Sequence, residues 1–148
     1  MSFMENALGG GGNQPPNLNR QEGYCGILLA IIAADGHISN EEVLDFHAAI
    51  KKATILKGAS QNFIRQMIDK VLRVLRAQGM DALLQQSAAA LTPDLYQGVF
   101  ANACDLVFSD GNVDPMEVRI MDKIKVLLKI DDKFAADVAE VFKVKGSV

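Results

Sequence analysis

Two segments of the chain carry the same pattern at the same places. Ala34-Asp35-Gly36-His37-Ile38-Ser39-Asn40-Glu41-Glu42-Val43 is matched 75 residues later by Ser109-Asp110-Gly111-Asn112-Val113-Asp114-Pro115-Met116-Glu117-Val118 (35 to 110, 42 to 117). Asp, Gly, an aliphatic residue, Glu and Val recur in step. An apolar helix-periodic stretch precedes each copy and another follows. The pattern predicts a duplicated helix–corner–helix unit, and with it a chain built in two similar helical halves.

Local chemistry accounts for the corners. Gly36 and Gly111 can take a positive φ, which ends one helix and turns the chain. Ile38 and Val113 precede the helix caps and can staple each corner to the core. Ser39 with Glu42, and Asp114 with Glu117, have capping-box spacing: the cap side chain accepts a backbone N–H, and the Glu reaches back. Pro115 stands where the first helical turn accepts a proline.

The rest of the chain also reads as helix, since no stretch alternates apolar and polar residues. Seven helices are expected. The first carries Tyr24, Leu28, Ile31 and Ile32 and stops at Asp35-Gly36. The second starts at Ser39, places Val43, Phe46, Ala49, Ile50 and Ala53 on one face, and ends near Gly58. The third runs from Ser60 to Gly79. A short fourth runs from about Asp81 to Leu91, and its Ala88-Ala89-Ala90 either favours helix or lets a neighbour approach closely. Thr92-Pro93 opens a fifth, with threonine at the cap and proline in the first turn. A sixth starts at Asp114-Pro115, and a seventh spans about Asp131 to Phe142. Residues 1–17, with Gly9 to Gly12 and Pro15-Pro16, read as a disordered tail. Residues 18–145 read as one all-α domain.

Composition narrows the function. The chain has 148 residues, enough for one buried core without staples. A net charge of −3 argues against binding nucleic acid through phosphate contacts. Its two cysteines, Cys25 and Cys104, lie in apolar runs without Cys-x-x-Cys spacing, which excludes a disulfide framework or zinc knot. The longest apolar run, Ile27 to Ala34, falls far short of the ~20 residues of a spanning helix. The first residues lack the basic region of a signal peptide. The expected location is the cytoplasm.

With these corners, residues 20–145 resemble the TerB-like tellurite-resistance family. The resemblance rests on Asp35-Gly36…Glu42 and Asp110-Gly111…Glu117 in their helical setting. It implies an all-helical domain with two similar halves and an acidic residue set at the corners. It also implies a bacterial cytoplasmic protein linked to tellurite resistance and related stress responses, with the corner carboxylates as metal ligands.

Asp-Gly-x-aliphatic-x-x-x-Glu is also the back half of an EF-hand loop. Laid on that loop, however, positions 1 and 3 fall on Ile31 and Ala33 in one copy and on Leu106 and Phe108 in the other. Apolar side chains cannot ligate a hard cation, so a calmodulin-like sensor is rejected. If the two halves pack about a pseudo-two-fold axis, the corners meet. Asp35, Glu42, Asp110 and Glu117 then supply up to four carboxylates. An all-oxygen set suits Ca²⁺ or Mg²⁺ better than Zn²⁺. The competing reading is that the two Glu residues only complete caps and the two Asp residues only close turns. His37 either adds a nitrogen ligand or is an exposed loop residue, and His47 is expected in a structural role.

Nothing supports an enzyme. Gly9 to Gly12 leads into no Walker-type lysine, and there is no Gly-x-Ser-x-Gly elbow. A redox-sensing pair, Cys25 and Cys104, competes with the commoner buried, inert cysteine. Arg65, Lys70, Arg73 and Arg76 on the third helix, and Lys123, Lys125 and Lys129 on the sixth, mark solvated faces or a surface for an acidic protein partner. The sequence therefore predicts a non-catalytic binding module. Its first expected ligand is a divalent cation, and the alternative is a metal-independent protein-interaction scaffold.

Overall fold

A computed structural model describes residues 17–109 and 111–148. The expected tail, residue 17 apart, and Asp110 lie outside the described residues. Among the described residues seven α-helices follow one another: α1 Arg20–Ile32, α2 Asn40–Ile50, α3 Gln61–Gln78, α4 Met80–Ala89, α5 Pro93–Phe108, α6 Pro115–Leu127 and α7 Asp132–Lys145. A single 3-10 turn, Thr54–Leu56, lies between α2 and α3. No strand occurs among the described residues.

The axis of the domain is α1. Every residue from Gly23 to Ile31 is buried, so this helix has no solvent face over that stretch. A helix apolar all round must be enclosed by others, and α3, α4, α5 and α6 all pack on it. The closest approach is to α4, and glycine permits it. A Cβ at Gly23 would lie 2.6 Å from the Ser87 carbonyl oxygen and 2.9 Å from the Ala90 Cβ. At Gly26 it would lie 2.0 Å from Ser87 Oγ. The small residues Ser87 and Ala90 thus serve close packing.

Around this axis, Phe46 and Ile50 of α2, Ile64 and Ile68 of α3, Val99 and Phe100 of α5, and Ile120 and Ile124 of α6 complete one core. Outermost is α7, which lies on α5. There the Phe134 ring meets that of Phe100 with centroids 6.5 Å apart. Lys70 secures the start of α1 from α3, pairing with Glu22 at 3.0 Å and donating to the Asn17 carbonyl at 3.2 Å.

Helix ends follow the sequence with several departures: the first helix ends at Ile32, just short of Asp35-Gly36, and the seventh runs past Phe142 to Lys145. Ser60 caps α3 through the Phe63 N–H, and Gly79 ends it at φ +92°. The second helix, however, stops at Ile50 rather than near Gly58. At Ala53 the chain turns to extended backbone, φ −68° and ψ 141°. The 3-10 turn that follows buries Leu56, and the Ile55 carbonyl accepts the Gln21 side-chain amide at 3.0 Å. A tertiary contact therefore overrides helix continuation. Thr92 occupies the cap position of α5 as expected, but its side chain makes no capping bond. Pro93 follows it at the first helical position, where a proline is accepted.

Candidate functional site

The two corners are built alike. Gly36 and Gly111 take φ of +82° and +78°. The Ser39 hydroxyl accepts the Glu42 N–H at 3.1 Å, and Glu42 Oε1 accepts from the Ser39 N–H at 3.4 Å and from its hydroxyl at 3.1 Å. In the second corner, Asp114 Oδ1 accepts the Met116 N–H at 2.7 Å, and Glu117 Oε1 accepts the Asp114 N–H at 2.9 Å. Both capping boxes predicted from spacing are formed.

These corners face one another across a cavity of about 530 Å³, enclosed by the ends of α1 and α5 and the starts of α2 and α6. Among the described residues five carboxylates line it: Asp35, Glu42 and Asp45 from the first corner and its helix, Asp114 and Glu117 from the second. No Lys, Arg or His is among its lining residues. Ile31 and Phe46 give it an apolar floor. Both helix starts hold acidic residues, Glu41 and Glu42 in α2 and Glu117 in α6. The positive end of each helix dipole therefore offsets part of the negative charge.

Of the four residues marked in the sequence, Asp35, Glu42 and Glu117 share this cavity, and Asp110 lies outside the described residues. Asp35 is exposed, and its Oδ1 accepts the His37 N–H at 3.0 Å, closing an Asx turn. Asp45 was missed. Its signal was its place three residues after Glu42, which puts both on one helix face. Asp114 was recognised only as a cap. His37 does not join the acidic cavity; it lines a different one. His47 is half-buried on α2, its Nε2 without a hydrogen-bond partner.

Donor chemistry here suits a hard cation, because the side-chain polar groups lining it are five carboxylates and the Ser109 hydroxyl, all oxygen donors. Among the described residues, however, no three His, Cys, Asp or Glu side chains converge closely enough to form a ready-made ligand cluster. The cavity offers carboxylates around an open space rather than a closed coordination shell.

Both cysteines are buried and free. Burial, with the Glu22 charge adding to it, pushes the Cys25 thiol far above its ordinary range. Burial alone pushes Cys104 up to about 11. Both remain thiols at neutral pH, the form that is neither a good nucleophile nor a soft-metal ligand.

The family model for tellurite resistance protein TerB matches residues 21–140. The chain belongs to the TerB family. The match takes in α1 to α6 and most of α7, with both corners. No curated protein and no solved structure is detectably similar to it. Among the described residues of this TerB-family domain, no helix is long and apolar enough to cross a membrane.

Proposed function

We propose that this TerB-family chain is a non-catalytic, stress-response binding module of the bacterial cytoplasm, and that it takes a divalent cation, Ca²⁺ or Mg²⁺, in the acidic cavity. The observation that carries the proposal is the gathering of Asp35, Glu42, Asp45, Asp114 and Glu117 around one space with no basic residue in its lining. A cation would offset the negative charge these residues bring to one space. Asp110 belongs to the proposed ligand set from its place in the sequence. A cation here would be held by few protein oxygens and would keep several waters, as Mg²⁺ commonly does. It would bridge the α1–α2 and α5–α6 corners. Binding would therefore couple the cation to the relative placement of two helix pairs, which suits a sensor or assembly module rather than a catalyst.

A titration of metal-free protein with Mn²⁺, followed by amide NMR, tests this. Mn²⁺ is a paramagnetic stand-in for a hard divalent cation. The expected result is selective broadening of the Asp35, Glu42, Asp45, Asp114 and Glu117 amides, reversed by excess Mg²⁺ or Ca²⁺. Uniform weak broadening over all exposed carboxylates would overturn it.

One observation favours the metal-independent scaffold as a second reading. The corner carboxylates already make turn and capping bonds that explain their presence without a cation. Under that reading, partner capture would be indifferent to chelator.

A further inference from the structure

A second cavity, of about 820 Å³, lies on the other side of the first corner, between the ends of α1 and α3 and the starts of α4 and α6. Its character is the reverse of the acidic one. The floor is apolar, with Ala33, Leu72 and Ile120 all buried. The rim is basic, with Arg76, Arg119, Lys123 and His37 all exposed. Among the described residues Asp81 is the single acidic one lining it, and Lys123 already holds that carboxylate at 2.7 Å. Three permanent positive charges against one negative leave a formal +2 in a chain of net charge −3.

Arg76 and Arg119 have no carboxylate within ion-pair distance among the described residues. The Arg119 guanidinium donates to the Met116 sulfur at 3.8 Å, a weak acceptor. The start of α4 adds a lesser attraction. Gly79 caps it without a side chain, and Gly79 and Met80 form part of the cavity wall, so the first-turn N–H groups there favour an anion. Met80 and Met116 supply pliable walls that adapt to a ligand's shape.

We infer that this basic-rimmed cavity binds a small amphipathic anion, with its carboxylate or phosphate head between Arg76 and Arg119 and its apolar body over Leu72 and Ile120. The volume falls in the range of small-molecule sites, roughly 300–1,000 Å³. A planar guanidinium pair suits a bidentate oxyanion better than a lone lysine does. An apolar floor beneath a charged rim selects against fully hydrated inorganic ions. The inference uses none of the carboxylates of the acidic cavity and stands independently of the cation proposal.

Amide NMR titrations of the full chain with octanoate, octyl phosphate, inorganic phosphate and octanol test it. The expected result is saturable shifts at Leu72, Arg76, Arg119 and Ile120 with octanoate or octyl phosphate. Phosphate and octanol should bind at least about tenfold more weakly, each lacking one half of the recognition. Arg76→Gln with Arg119→Gln should weaken amphiphile binding by about tenfold or more. Both side chains are exposed, and a thermal melt checks that the variant folds. Absence of saturable shifts in this cavity with either amphiphile overturns the inference. So does binding unchanged in the double variant.

Discussion

The Asp35 carboxylate accepts the His37 N–H at 3.0 Å, yet the two residues line different cavities. The first corner is therefore a thin wall between an acidic space and a basic-rimmed one, with Ala34 facing both. Its shape is set by Gly36 at φ +82° and by the Asx turn. A ligand on either side would act on the same few residues.

That shape depends on glycine for backbone reasons alone. Nothing lies within 4 Å of a Cβ built at Gly36, so Gly36→Ala meets only left-handed strain. The expected loss is about 1–2 kcal/mol, read as a lower urea midpoint with an unchanged slope. An unchanged midpoint would mean the corner relaxes to another conformation.

Capping and ligand binding separate by substitution. Ser39→Ala removes the oxygen that accepts the Glu42 N–H and should cost about 1 kcal/mol of stability. Glu42→Gln keeps an oxygen able to accept the Ser39 N–H, so it should change stability by less than about 0.5 kcal/mol. Its effect should appear in cation affinity instead. Urea titrations of both variants, with and without Ca²⁺, make the comparison.

At the α1–α4 contact, sterics oppose helix propensity. Gly23→Ala gains up to about 1 kcal/mol of propensity. The new methyl, however, meets the Ser87 carbonyl oxygen at 2.6 Å, and overpacking of this kind costs about 1–3 kcal/mol. A net destabilisation of up to about 2 kcal/mol is expected from thermal or urea unfolding. A stabilised variant would show that α4 moves aside without penalty.

The buried thiols give a pH dependence of known sign. Cys104 rises from about 9 to about 11 on folding, and burial is the cause. With the folded value raised, its contribution is fully present below pH 9. As pH rises from about 9 to about 11, the unfolded chain loses its proton first, so stability falls. Cys25 acts in the same direction. The urea midpoint should decline over that window, and Cys104→Ala should flatten the decline. Native protein should react with a thiol reagent only at the rate of opening; fast reaction of either cysteine at neutral pH would contradict its burial.

The repeat revealed much of this architecture because caps and glycines are local chemistry. Ser39, Glu42, Asp114 and Glu117 mark helix starts whatever packs around them, and both capping boxes formed as spacing predicts. The early end of α2 was illegible because what satisfies the Ile55 carbonyl, the Gln21 amide 34 residues earlier, comes beside it only in the folded chain. The role of Gly23 and Gly26 was hidden similarly: only the placement of α4 shows what a Cβ would strike. At the site, the sequence marked the corner carboxylates but not Asp45, whose facing partners come from the other corner. It also assigned His37 no side, since a loop residue's direction depends on the turn that Asp35 closes.

The central claim is that carboxylates of both corners bind one cation in a shared cavity. Calorimetric titration of metal-free protein with Ca²⁺ and Mg²⁺, beside Asp35→Asn with Asp45→Asn, tests it most directly. The pair removes two charges from the cavity, while the amide introduced at position 35 retains an oxygen for the His37 N–H. Saturable one-site binding by the wild type, lost in a variant of unchanged stability, is the expected result. No heat of binding with either cation, or the same affinity in the variant, would contradict the account and leave the carboxylates as builders of helix ends.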